Sequence, residues 1–300
     1  VLGEPLKHID GGGADLDGGA VVVSASMSGM ANPHIVQVDG SIASMEQRAT
    51  DWFFRGALKP GPASIRSSGM TDWPICVPDA SPLTVEANDW PDPVSQVLAV
   101  MPYVELVPHQ SAQWRLGKSP AQRLPGWAAF ADPITYVNFE GGQAKKPVPA
   151  HFAARLPPTG ATLERWRPVP RGGQNILFGG ADPVLARYAS AQGHELSFGF
   201  DPFMTDLVRS PSWPVLFFDL VREARESRVA CRTHDAGHAL LLIADHPVSV
   251  TSPSGIETTF ESVQGNVLVH GLDEIGHYRL ASRGRQAFVA IHPTRSVQHE

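Results

Sequence analysis

His234 and His238 stand four residues apart in the stretch RTHDAGHALLLIADH, residues 232–246. On a helix such a pair shares one face and can hold a metal ion, with Asp235 or Asp245 as an oxygen ligand. A metal-bound water would then attack an ester, lactone or amide. Gly237 interrupts such a helix, and residues 239–244 read as a strand. Along one strand, positions i and i+4 lie about 13 Å apart, too far to share an ion. The main expectation is therefore no catalytic residue, no metal and no cofactor. A hydrolase using His234, Asp235 and His238 is the alternative.

Other reactive side chains are scattered. His109, His151 and His194 lie in turn-like surroundings, and Glu105, Glu140 and Asp201 follow apolar runs. Acid–base residues of α/β proteins often occupy strand ends, but the sequence names no partner for these. It contains no GxSxG, HExxH or Walker motif. Gly117-Lys118-Ser119 resembles part of a phosphate loop, yet Ala112 stands where its first glycine belongs. GGADP, residues 179–183, reads as a turn. The seven tryptophans spread over the first two regions read as packing; a carbohydrate-binding module would need two or three of them clustered and exposed. Cys76 and Cys231 are the only cysteines. They fit no zinc or CxxC pattern, and because they fall in different expected domains they are expected not to be bonded to each other.

The elements that must position these residues are mostly short strands. Among 300 residues, 27 prolines and 28 glycines favour turns over long helices. With 42% hydrophobic and 18% charged residues the chain can build cores, and its size suits two or three domains. A net charge of −6 argues against a general nucleic-acid binder. No run reaches the ~20 apolar residues of a membrane span, and the first twenty residues lack a signal-peptide pattern. The start at Val1 suggests a processed chain or a piece of a longer one.

Residues 1–92 read as a β-sandwich, with GGGADLDGG (11–19) as a flexible lead-in and Asp39-Gly40 as a tight turn. Residues 93–226 read as an α/β layer domain. Val94, Val97 and Leu98 mark a short helix before a strand at Val104–Val107. In residues 210–228, Trp213, Leu216, Phe217, Leu220 and Val221 form a helical apolar stripe behind cap candidates Ser210 and Ser212. Residues 227–300 carry six strand-like runs and read as a small antiparallel sandwich.

Several motifs occur in a familiar order. Gly199-Phe200-Asp201 is followed by Trp213-Pro214-Val215-Leu216, then Pro253-Ser254-Gly255, then Gly276, Tyr278 and Leu280, and last the run from Phe288 to Ser296. Over residues 174–300 this resembles the extracytoplasmic C-terminal region of bacterial aerotolerance-type membrane proteins, which contain a von Willebrand factor A domain and N-terminal membrane helices. The resemblance implies a central domain like a degenerate glutamine amidotransferase and an Ig-like C-terminal β-sandwich. The family's DxSxS adhesion motif is broken here, since Val22 replaces the aspartate in VVSAS, so metal-mediated adhesion does not carry over. The implied function is non-catalytic: an extracytoplasmic or periplasmic scaffolding region that binds protein partners in an envelope assembly. Its tether would be a membrane segment outside this sequence.

Overall fold

The computed structural model describes residues 8–17, 20–28, 32–49, 51–68, 71–87, 89–153 and 160–292. These residues form twenty-five strands and two α-helices. The protein is β-rich with several sheets, and no helix among the described residues is long and apolar enough to cross a membrane. The chain divides into two compact units, one made of residues 1–81 and 225–300, the other of residues 82–224.

The first stretch of unit 1 contains β1 (His8–Asp17), β2 (Ala20–Ser28), β3 (His34–Gln37), β4 (Ile42–Ser44), β5 (Glu46–Arg48), β6 (Asp51–Gly56), β7 (Gly61–Arg66) and β8 (Trp73–Val77). Two four-stranded sheets result, in the orders β1-β2-β6-β5 and β4-β3-β7-β8. Val21, Val23 and Ala25 alternate into a core shared with Ile35, Ile65 and Ile75, the period of two that a half-buried strand requires. The turn at Asp39-Gly40 links β3 to β4, with Gly40 at a φ of +82° that a side chain would resist. The expected flexible lead-in is corrected over residues 11–17, which are strand; residues 18 and 19 lie outside the described residues. Residues 8–17 form β1, pairing along its length with β2. Backbone hydrogen bonds to a valine-rich neighbour offset the poor strand propensity of glycine.

Unit 2 contains β9 (Leu83–Glu86), α1 (Asp92–Val100), β10 (Val104–Val107), β11 (Trp114–Leu116), β12 (Arg123–Leu124), β13 (Thr135–Phe139), β14 (Gln143–Phe152), β15 (Thr162–Trp166), β16 (Gln174–Gly179), β17 (Asp182–Ser190) and β18 (Gly193–Phe198). It also holds most of α2 (Ser212–Glu226). The main path of its sheet is β10-β9-β11-β13-β18-β17-β16-β14-β15, with β12 on β17. The neighbours β10, β9, β11, β13 and β18 run parallel, and the other pairs are antiparallel. Val94 and Leu98 of α1 are buried, as the helical spacing predicts. The apolar stripe of α2, including Leu216, Phe217 and Leu220, lies in the same core. Ser210 Oγ accepts the amide of Ser212 at 3.2 Å, and Trp213 Nε1 donates to the Pro93 carbonyl at 3.1 Å.

The second stretch of unit 1 contains β19 (Cys231–Asp235), β20 (Leu240–Ile243), β21 (Val248–Thr251), β22 (Glu257–Phe260), β23 (Asn266–Val269), β24 (Gly276–Ser282) and β25 (Arg285–His292). A five-stranded sheet, β19-β25-β24-β21-β22, accompanies the pair β20-β23. The closing hairpin is β24–β25. Tyr278 is buried there, and its hydroxyl accepts the Glu274 amide at 3.0 Å.

Strand β8 ties the two stretches of unit 1 together. Cys76 and Cys231 form a disulfide across 155 residues of sequence, which corrects the expectation that they are unbonded. That expectation assumed domains contiguous in sequence, whereas unit 2 is an insertion between the two stretches. Around the disulfide, His277 Nε2 donates to the Ile75 carbonyl at 3.1 Å and His292 Nε2 to the Pro74 carbonyl at 2.5 Å. The His292 ring lies 4.6 Å from that of Trp73. Arg225, buried, donates to the carbonyls of Ala80 and Ser81. The sequence pattern puts domain boundaries after residues 92 and 226; the compact units part after residues 81 and 224.

Candidate functional site

In an open parallel sheet, ligands gather beyond the carboxyl ends of the strands, where the strand order reverses. In unit 2 that point lies between β9 and β11. From β9 the chain passes through α1 to β10 on one side, then returns to β11 on the other. Glu86, the last residue of β9, stands there. Its Oε2 accepts the Leu116 amide at 2.9 Å, and its Oε1 lies 2.8 Å from Nδ1 of His109. The Glu86 side chain is 15% exposed and that of His109 56%, so the carboxylate is shielded while the imidazole reaches solvent. The Trp90 indole donates to the Glu86 carbonyl at 2.6 Å and fixes the strand end.

A second cluster occupies the same rim. Glu140 follows β13, and its Oε1 accepts from Asn138 Nδ2 at 3.1 Å and lies 3.4 Å from Lys118 Nζ. Its Oε2 accepts from Arg167. Both carboxylate oxygens are engaged, two of the partners being cations. Lys118, from the GKS tripeptide, is held to a carboxylate. Deeper in the unit, Arg123 makes two hydrogen bonds to the buried Glu195, at 2.7 and 3.3 Å, beneath the Tyr188 ring. This is a structural ion pair.

The residues singled out in the sequence fall elsewhere. His234 lies in β19, and His238 follows a turn at Gly237 with φ +78°. The turn brings the rings within 6.4 Å, closer than one continuous strand would allow. However, His234 Nε2 meets the His238 carbonyl oxygen at 3.2 Å, so the contact is ring to backbone. Asp235 and Asp245 are exposed. Among the described residues no three His, Cys, Asp or Glu side chains gather as metal ligands. His151 stacks on Phe178, Glu105 is exposed on β10, and Asp201 caps a short turn by accepting the Phe203 amide. His194 is shielded, and burial, assisted by the Arg187 guanidinium, pushes its pKa down to about 3. Of the tryptophans, Trp52, Trp73, Trp90, Trp114, Trp166 and Trp213 are buried.

Sequence reasoning missed Glu86. The available signal was a carboxylate closing the apolar alternation of LTVE just before a helix. Its partner His109 lies 23 residues away, and only the parallel pairing of β9 and β10 brings them together.

No known protein family matches the chain, and no curated protein matches it in sequence. Among solved structures, the I9–I11 tandem of titin aligns over 96% of this chain and 99% of its own, at 7% identity and a TM-score of 0.20. At that score the likeness carries no argument.

Proposed function

We propose that this chain is a non-catalytic, extracytoplasmic segment that binds protein partners within a bacterial envelope assembly. The observation that carries this reading is the rim of the parallel strands. Where an α/β enzyme keeps a nucleophile, Glu140 is occupied by Lys118, Asn138 and Arg167, and no cysteine of the chain is free. The Cys76–Cys231 disulfide supports an oxidising compartment, where such bonds persist.

The finer architecture belongs to the same proposal. Unit 2 is read as a degenerate glutamine-amidotransferase-like layer, and residues 227–300 as an Ig-like sandwich of the aerotolerance type. In support, Gly199-Phe200-Asp201 follows β18 directly, Trp213-Pro214-Val215-Leu216 opens α2, and Gly276, Tyr278 and Leu280 lie in β24. The part of the resemblance at residues 293–296 lies outside the described residues.

The Glu86–His109 pair favours a second reading. A carboxylate on Nδ1 leaves Nε2 free to take a proton from water, the arrangement of a general base. A generic ester assay with metal analysis separates the two. No turnover and no stoichiometric ion are expected. Turnover lost in His109→Ala would replace the scaffold by a hydrolase at this rim. Turnover and an ion lost together in His234→Ala/His238→Ala would place it at the histidine pair.

A further inference from the structure

Away from the strand rim, unit 2 carries an open groove of about 570 Å³, within the size range of ligand sites. One wall is the loop of residues 168–172, and the other is the turn joining β16 to β17. Val169, Phe178 and Pro183 give it an apolar floor, and Arg171, Asn175 and Asp182 supply its polar groups.

The walls are fixed. The Val169 amide donates to the Pro183 carbonyl at 2.8 Å, and the Tyr188 hydroxyl donates to that of Pro170. Any side chain at Gly173 would come within 2.6 Å of the Tyr188 ring, so glycine is needed for the loop to lie this close. Phe178 stacks on His151 with centroids 5.4 Å apart and planes 11° from parallel. A groove held open in this way spares a ligand the cost of ordering it.

Arg171, Asn175 and Asp182 are exposed, and none makes a side-chain hydrogen bond or ion pair among the described residues. Glu140, Arg123 and Arg187 in the same unit are all paired. An Asn carboxamide presents a donor beside an acceptor, the complement of a peptide unit. Arg171 matches a carboxylate and Asp182 a cation. A phosphate chain would be repelled by Asp182. A sugar platform would need a freer ring than Phe178, which is half-buried and already stacked on one side.

We propose that this groove binds an extended peptide segment in which an apolar side chain lies between an acidic and a basic one. The proposal rests on the reading of the chain as a protein-binding segment and names the surface. The test is an NMR titration of the isotope-labelled full chain with capped Glu-Leu-Lys, capped Gln-Leu-Gln and chitobiose.

The charged tripeptide is expected to shift signals of residues 169–183 and of the Asn175 carboxamide. It should bind at least ~5-fold tighter than the neutral one, the scale of one exposed ion pair. Arg171→Glu should remove that preference and leave the melting temperature unchanged. Equal binding of the neutral tripeptide, shifts confined to other regions, a response to chitobiose alone, or no response at ~20 mM would each overturn the proposal. Loss of the groove in this way, with ester turnover still absent, leaves the scaffold reading standing; turnover would remove that reading whatever the groove does.

Discussion

His194 shows how one buried side chain sets a pH dependence. Its pKa, pushed down to about 3 by burial and the nearby Arg187 guanidinium, means that the folded protein keeps it neutral. The unfolded chain protonates it near 6.5, the ordinary value of a histidine. Between these two values the unfolded state binds more protons, so stability rises with pH. It is intact above about 6.5 and is lost on acidification toward 3, by up to about 1.4 kcal/mol per pH unit. His277, lowered by its own burial, acts in the same direction within unit 1. His194→Gln should therefore flatten the acid side of the unit 2 transition by about one proton, measured as the denaturant midpoint across that window. An unchanged slope would mean that the imidazole is hydrated.

Single elements differed in how far the sequence revealed them. Helix α2 was legible because its core-facing side chains recur at helical spacing and Ser210 marks its start. Phe217 is fully buried, 4.8 Å from the Trp213 ring and 6.2 Å from that of Phe198. Replacing Phe217 by Ala should cost about 3–5 kcal/mol in chemical denaturation, whereas a cost under about 1 kcal/mol would show that this face is not a core. Strand β1 was illegible, because GGGAD has no side-chain alternation; the backbone ladder to β2 holds it, with Leu16 and Ala14 adding core packing toward its end. The Glu86–His109 pair was half legible. Both residues end or follow apolar runs, but only the parallel register of β9 and β10 makes them neighbours.

At the scale of the whole molecule, the decisive feature is the discontinuity of unit 1. A sequence read from one end to the other suggests successive domains, and nothing local to Cys76 or Cys231 announces a partner 155 residues away. Both cysteines belong to unit 1, and unit 2 contains none. Reduction should therefore lower the unfolding transition of unit 1 and leave that of unit 2 in place. For a flexible loop of this length the bond would stabilise by several kcal/mol, about 2–4 being typical. The loop is not uniformly flexible, however. While unit 2 stays folded it already restrains the ends it connects, so less entropy remains for the disulfide to remove. If unit 2 melts first, the loop becomes a free chain and the full effect applies. Cys76→Ser/Cys231→Ser and the reduced wild type should shift the unit 1 transition equally, and the shift should grow when unit 2 is selectively destabilised by Phe217→Ala. Calorimetry of the wild type and Phe217→Ala, each oxidised and reduced, and of the double serine variant reads this directly: a reduction-induced shift in the unit 2 transition, or none in unit 1, would show that the disulfide does not hold the two stretches of unit 1 together.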